Sequence, residues 1–341
     1  MMTREGRVSI FGWAIGTLLL LGLVVFIHYS VGWEPLLTPW REIPPGVLVV
    51  ACLMVLVSYG IRTIRIHEYF LPATAGSFFR TVRLVLVHNL FNNLLPMRSG
   101  EASFPILMAR DFKVPFSRSI PGLLYLRVLD LHFVLLLGLA VLSWGKENLA
   151  WLLVLPLLPI PYGIFKAQEG LRTRLGKPRN RWTKIAQDLL AGLPASSGLF
   201  WRSWLWTVVN WSVKLTVLAW ILQAFTPMPL SWALLGTTTG ELSSVLPIHG
   251  IAGAGTYEGG ILAGLLPLGV ELEPALKAAV NLHLFVLGVS IFAGVLAAIL
   301  SLEPATSRNR RKLQDETGGI PTRTEEGAGP DHRSGGSDPV S

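Results

Sequence analysis

The chain has 341 residues, of which 51% are hydrophobic and only 15% charged, against roughly 25% charged in soluble domains. Its apolar residues gather in runs of roughly 18 or more, the length that crosses a bilayer, so the composition excludes a soluble fold and points to an all-α, polytopic membrane protein. The net charge of +8 comes from cations in the loops between those runs, which is the positive-inside pattern, so it is read as topology and no nucleic-acid partner is expected.

The first span is expected over about 9–28. Arg4 and Arg7 precede it, but the apolar stretch exceeds a signal-peptide core and no small-x-small site follows, so it reads as an uncleaved helix with a cytoplasmic N-terminus. A second span begins after Pro44-Pro45, where proline suits a first helical turn, and runs to about Gly60. Arg62, Arg65, Arg80 and Arg83 then make residues 62–83 a cytoplasmic segment with the character of an interfacial helix. Further spans are expected at 119–143, 149–165, 201–224 and 275–302, giving about six. The most basic loop, 166–200, has an amphipathic helix near 182–193 with Ile185, Leu189 and Leu190 on one face. Residues 1–302 form one membrane domain. Residues 303–341 are Gly, Ser, Pro and charge, the composition of a disordered cytoplasmic tail.

Two segments break this pattern. Leu84–Leu95 is apolar but contains His88, Asn89, Asn92 and Asn93. It stops at Pro96, turns through Arg98-Ser99-Gly100-Glu101 and resumes at Ala102. Each limb is about a dozen residues, too short to cross the roughly 30 Å hydrocarbon core, and both flanks are cationic. A re-entrant hairpin from the cytoplasmic side follows, and its irregular backbone must be buried in protein or line a wet cavity. Ser231–Val245 halts in the same way at Pro247, loops through His249, Gly250, Gly253 and Gly255, and resumes past Glu258 with outer flanks.

The two segments match at an offset of 151: Leu95-Pro96 with Leu246-Pro247, and Asp130-Leu131-His132 with Asn281-Leu282-His283. Span, hairpin and span thus occur twice with opposed orientation. Inverted repeats with interrupted helices at mid-membrane mark many secondary transporters.

Ionisable groups inside the hydrocarbon are costly and default to function. The cavity and headgroup candidates are Asn92, Asn93, Arg98, Glu101, Arg127, Asp130, Glu241, His249 and Glu258. Arg98 and Glu101 either grip a lipid phosphate and its counter-group or grip each other. Arg127 and Asp130, three apart on one helix, either pair or present Arg127 to a phosphate beside Arg98. Lys214 is either a headgroup contact or the neutraliser of Glu241. His132 and His283, imidazoles inside apolar spans, are candidates for a proton relay. The single cysteine, Cys52, rules out a disulfide within the chain, and no metal-ligand spacing or Gly-rich nucleotide loop occurs, so no metal and no cofactor is expected.

Asn93, Pro96, Gly100-Glu101, Arg127, Asp130, Pro247, Gly253, Gly255 and Glu258 together resemble the lysylphosphatidylglycerol synthase transmembrane family, also described as flippase-like, over about residues 10–302. The resemblance implies a membrane part that moves a lipid with a polar headgroup between leaflets. His249-Gly250-Ile251 departs from that family's Pro-Gly-Gly-like run. The full synthase adds a soluble aminoacyl-transferase domain, for which the short tail leaves no room, so lysyl-lipid synthesis is not expected. The expectation is a protein of the inner or plasma membrane, both termini cytoplasmic, that binds or translocates a phosphate-bearing lipid. The alternatives are an intramembrane transferase with Glu101 or Glu258 as base, or a scaffold for a separate synthase or transferase.

Overall fold

A computed structural model describes residue 18 and residues 21–29, 32–143, 154–177, 180–244 and 250–300, apart from the side chains of Met97 and Glu169. His249 and the expected tail, 303–341, lie outside the described residues. Every described residue in regular structure is helical.

Four helices are long and apolar enough to cross a membrane: α4 (Pro45–Tyr69), α7 (Phe116–Ser143), α10 (Ser197–Phe225) and α13 (Leu272–Ile299). At 1.5 Å per residue each exceeds the roughly 30 Å hydrocarbon core. A fifth span results if α1 (Leu21–Tyr29) is taken with the bent segment Trp33–Glu42 that holds α2 (Trp33–Leu37) and α3 (Pro39–Glu42), 105° away. The expected span at 149–165 begins outside the described residues. Its described part is a 3₁₀ turn, Leu155–Leu157, followed by α8 (Ile160–Leu175), which runs on past Lys166 and Arg172 into the basic stretch. Helix α9 (Arg181–Ala191) occupies the amphipathic stretch, opened by a capping box between Asn180 and Thr183.

The expected interfacial helix over 62–83 does not form. Helix α4 continues through Arg62 and Arg65 to Tyr69, because both guanidiniums turn inward and find buried partners. The next helix, α5 (Phe78–Leu94), is therefore longer than the expected dozen residues. It ends at Pro96, where a 3₁₀ segment, Pro96–Ala102, turns the chain into α6 (Ser103–Phe112). The limbs run antiparallel, tied by His88 to Ser103 near the tip and by Arg83 to Asp111 at the base. Gly100 is required there: a Cβ would lie 2.3 Å from the Phe91 carbonyl oxygen.

The second hairpin is α11 (Leu230–Ser243), a turn containing the 3₁₀ segment Ile251–Gly253, and α12 (Thr256–Leu265). Its limbs touch through small residues. A Cβ on Gly264 would lie 2.3 Å from Thr239 Oγ1 and 3.0 Å from Gly236 Cα. Close backbone approach of this kind is how helices associate where no hydrophobic driving force separates protein from lipid.

The packing repeats. Helix α4 lies on α10; α5 lies on α13 as α11 lies on α7; α4 meets α13 as α10 meets α7. The turns of the two hairpins touch each other. Among the described residues, each carries one non-glycine residue in the left-handed region, Arg98 at φ 53° and Ala252 at φ 53°.

Candidate functional site

Where the hairpin tips meet, a cavity of about 70 Å³ opens, large enough to admit water. It is lined by Tyr59 and Arg62 of α4, Asn89, Asn92, Asn93 and Arg98 of the first hairpin, Arg127 and Asp130 of α7, Trp211 and Lys214 of α10, and Glu241 and Ser244 of the second hairpin. A second cavity, of about 50 Å³, shares Asn93, Lys214, Glu241 and Ser244 and adds Tyr257 and His283.

Asp130 is the most heavily bonded carboxylate. Arg65 donates to it from both terminal nitrogens, at 2.6 and 3.2 Å, Trp211 Nε1 donates at 2.8 Å, and Arg127 Nη1 lies 3.5 Å away. The neighbour expected from sequence, Arg127, is thus the weaker partner, since its other nitrogen reaches Glu101 at 2.9 Å. Arg98 Nη2 also donates to Glu101, at 2.9 Å. Arg98 and Glu101 thus grip each other, and Arg98 also lines the cavity.

His88 shows its tautomer. Ser103 Oγ gives its proton to the Gly100 carbonyl at 2.6 Å, so it accepts from His88 Nδ1 at 3.0 Å. A guanidinium cannot accept, so His88 Nε2 accepts from Arg127 Nη2 at 3.2 Å, and the ring is neutral.

On the far wall, Lys214 Nζ meets Glu241 at 2.7 Å and lies over the Trp211 ring, 5.0 Å from its centroid. Arg62 donates to Asn89 at 2.8 Å and lies 6.0 Å from the same ring. These two pairs correspond, since both members are displaced by 152 residues (62 to 214, 89 to 241). Beyond the tips the displacement is 157 for Glu101 to Glu258 and 156 for Arg127 to His283, and these also correspond, for Glu258 binds His283 Nδ1 at 2.6 Å. The change follows from a longer second turn. The sequence offset of 151 had set His132 against His283. Contacts instead set Arg127 against His283, while His132 donates to the Leu157 carbonyl at 2.9 Å, away from the cavity.

Asn92, Asn93, Arg98, Arg127, Asp130 and Glu241 therefore line one cavity, and Glu101 stands directly behind it. Glu258 lines neither cavity; it accepts from the Gly255 N–H at 2.8 Å and caps α12. His283 lines only the second cavity, and Asn281 spends its amide on Trp40 and the Leu36 carbonyl. Sequence reasoning missed Arg62, Arg65, Asn89 and Trp211 as site residues. The signal for the arginines was the unbroken three-to-four spacing of buried positions in α4, through Val55, Tyr59, Arg62, Ile66 and Tyr69.

An all-helical bundle with at least four helices long enough to cross a bilayer is a multi-pass membrane protein, and this one has a charged cavity at the meeting point of two broken segments. The chain belongs to the family described as the lysylphosphatidylglycerol synthase TM region, whose model matches residues 13–294. No curated protein and no solved structure matches it.

Proposed function

We propose that this protein binds and translocates a phosphate-bearing lipid between leaflets, with the cavity at the hairpin tips as its headgroup site. One observation carries the reading: Arg62, Arg98, Arg127 and Lys214 converge from both halves on one cavity, whose lining among the described residues holds two carboxylates, Asp130 and Glu241. Guanidinium forks match phosphate oxygens, and a buried excess of cations needs an anionic guest. The hairpin limbs are re-entrant in this reading, and the two halves sit inverted in the membrane. The tips then approach the midplane from opposite sides, where alternating access exposes the site to each leaflet in turn. The membrane is the inner or plasma membrane with both termini cytoplasmic, and a separate synthase or transferase supplies or consumes the lipid.

The test is a leaflet assay in proteoliposomes with fluorescent phospholipids of several headgroups. The expected result is faster transbilayer movement of at least one phosphate-bearing lipid than in empty vesicles, lost in an Arg98→Gln/Arg127→Gln variant. Equal rates with and without protein across the panel would sink the proposal.

A further inference from the structure

Donors and acceptors around the cavity are out of balance. All three carboxylates are engaged: Glu101 by Arg98 and Arg127, Asp130 by Arg65 and Trp211, Glu241 by Lys214. Donors are left over. Nε of Arg62, Arg65, Arg98 and Arg127 and Nδ2 of Asn89 are buried without a partner among the described residues, against two such acceptors, Asn92 Oδ1 and Glu101 Oε2. Glu101 Oε2 is itself 3.7 Å from His88 Nε2.

The charges lean the same way. Five cations (Arg62, Arg65, Arg98, Arg127 and Lys214) face three carboxylates (Glu101, Asp130 and Glu241), an excess of two positive charges. Neutral His88 adds none. Counting the carboxylate of Glu258, bonded to His283 at the second cavity, as one further negative charge still leaves at least one positive charge.

We infer that the cavity selects a phosphate headgroup that bears no ammonium, taking an anionic phospholipid and refusing aminoacyl and ethanolamine phospholipids. Phosphate oxygens only accept, so they suit the spare donors of Arg62, Asn89, Arg98 and Arg127, the residues of that set that line the cavity. An ammonium only donates. Every carboxylate already faces a cation, so it would find one spare carboxylate oxygen, Glu101 Oε2, and would stand among guanidiniums in a medium of low dielectric, where like charges repel strongly. This rests on the reading of the cavity as a lipid headgroup site. It sets the chain apart from the cationic lipid in its family's name.

The experiment follows the thermal midpoint of the full chain in detergent micelles doped with phosphatidylglycerol, phosphatidylethanolamine or lysyl-phosphatidylglycerol of matched acyl chains. Glycerol phosphate in the aqueous phase is the soluble arm. The expected half-maximal dose is at least about tenfold lower for phosphatidylglycerol than for either ammonium-bearing lipid. Two variants should narrow that ratio: Arg98→Gln, at the partly exposed tip, and the near-isosteric Asn89→Asp, which removes one unit of excess charge. If lysyl-phosphatidylglycerol or phosphatidylethanolamine stabilises at the same dose as phosphatidylglycerol, the selectivity is overturned while the lipid site stands. If glycerol phosphate does as well as the lipids, or no lipid shifts the midpoint, the lipid reading falls and the inference falls with it.

Discussion

The two hairpins share an architecture and differ in what holds them. The first is tied by polar side chains: Arg83 to Asp111, His88 to Ser103, Arg98 to Glu101, and Asn93 across to Ser290 of α13. The second is closed by small residues: Gly260 and Gly264 come against the backbone of the facing limb, Gly236 and Gly240 receive the side chains of Leu265 and Ile261, and Glu258 caps a helix. The helices around them differ in the same sense. At the displacements of 152 and 156 residues, the buried pair Arg65–Asp130 corresponds to Val217 and Val286, both in one apolar cluster. One half has thus kept an ionic seam where the other has an ordinary core. The two halves differ in how they are held: one by close apolar packing, the other by buried ion pairs.

The largest expected effect comes from breaking that ionic seam. Asp130→Val leaves Arg65 buried without its carboxylate and should cost about 3–5 kcal/mol. Arg65→Val/Asp130→Val makes the first half resemble the second at this seam, and should recover most of that loss, since a buried pair is replaceable by well-packed apolar groups. Thermal unfolding of the two variants in detergent measures the difference. A double variant as unstable as the single one would show that Asp130 matters chiefly through Arg127 and Trp211.

Next in size is the packing of the second hairpin. Gly264→Ala places a methyl group 2.3 Å from Thr239 Oγ1 and 3.1 Å from the Leu235 carbonyl, so the limbs must part, at a cost of about 1–3 kcal/mol. Gly259→Ala on the same helix meets nothing within 4 Å and should be neutral or stabilising by up to about 1 kcal/mol. Equal destabilisation by both would mean that helix propensity, and not limb contact, sets the outcome.

Smaller still for stability, though not for activity, is Arg98→Gln. Its ion pair with Glu101 is partly solvated, with side chains 21% and 25% exposed, so its loss should cost under about 1 kcal/mol. Leaflet transport should nonetheless fall well below that of the unchanged protein. A variant that transports normally would move the headgroup contact off the tip.

Much of the fold was legible because it depends on length. Runs of apolar residues gave α4, α7, α10 and α13, and Pro96 marked where another run stops. The site was half legible. Arg98, Glu101, Arg127 and Asp130 stood out as charges inside apolar runs. Arg62 and Arg65 did not, because hydropathy falls at Gly60 and a cation after an apolar run reads as a cytoplasmic loop. Whether such a cation snorkels outward or turns inward depends on a partner elsewhere in the chain, here Asn89 and Asp130, and local sequence does not hold that information. Glu258 failed in the opposite direction. It is the third residue of α12, the position of a capping-box acid, but its membrane setting argued for a ligand.

The smallest expected effect tests what the two tips still share. Arg98 and Ala252 both sit at φ 53°, where a side chain costs roughly 1–2 kcal/mol relative to the right-handed form. Glycine at either position relieves that cost but gives back about 0.4–1 kcal/mol through a freer unfolded chain. Ala252→Gly should therefore stabilise the protein by about 0.5 kcal/mol, because Ala252 offers no polar side chain to lose. Arg98→Gly gains the same backbone relief and loses the bond to Glu101, so its midpoint should not rise and its lipid response should vanish. A rise in both midpoints, with lipid response intact in both, would make the first tip as passive as the second. The strained turn would then be a common requirement of the hairpin, and Arg98 would have no claim on the ligand.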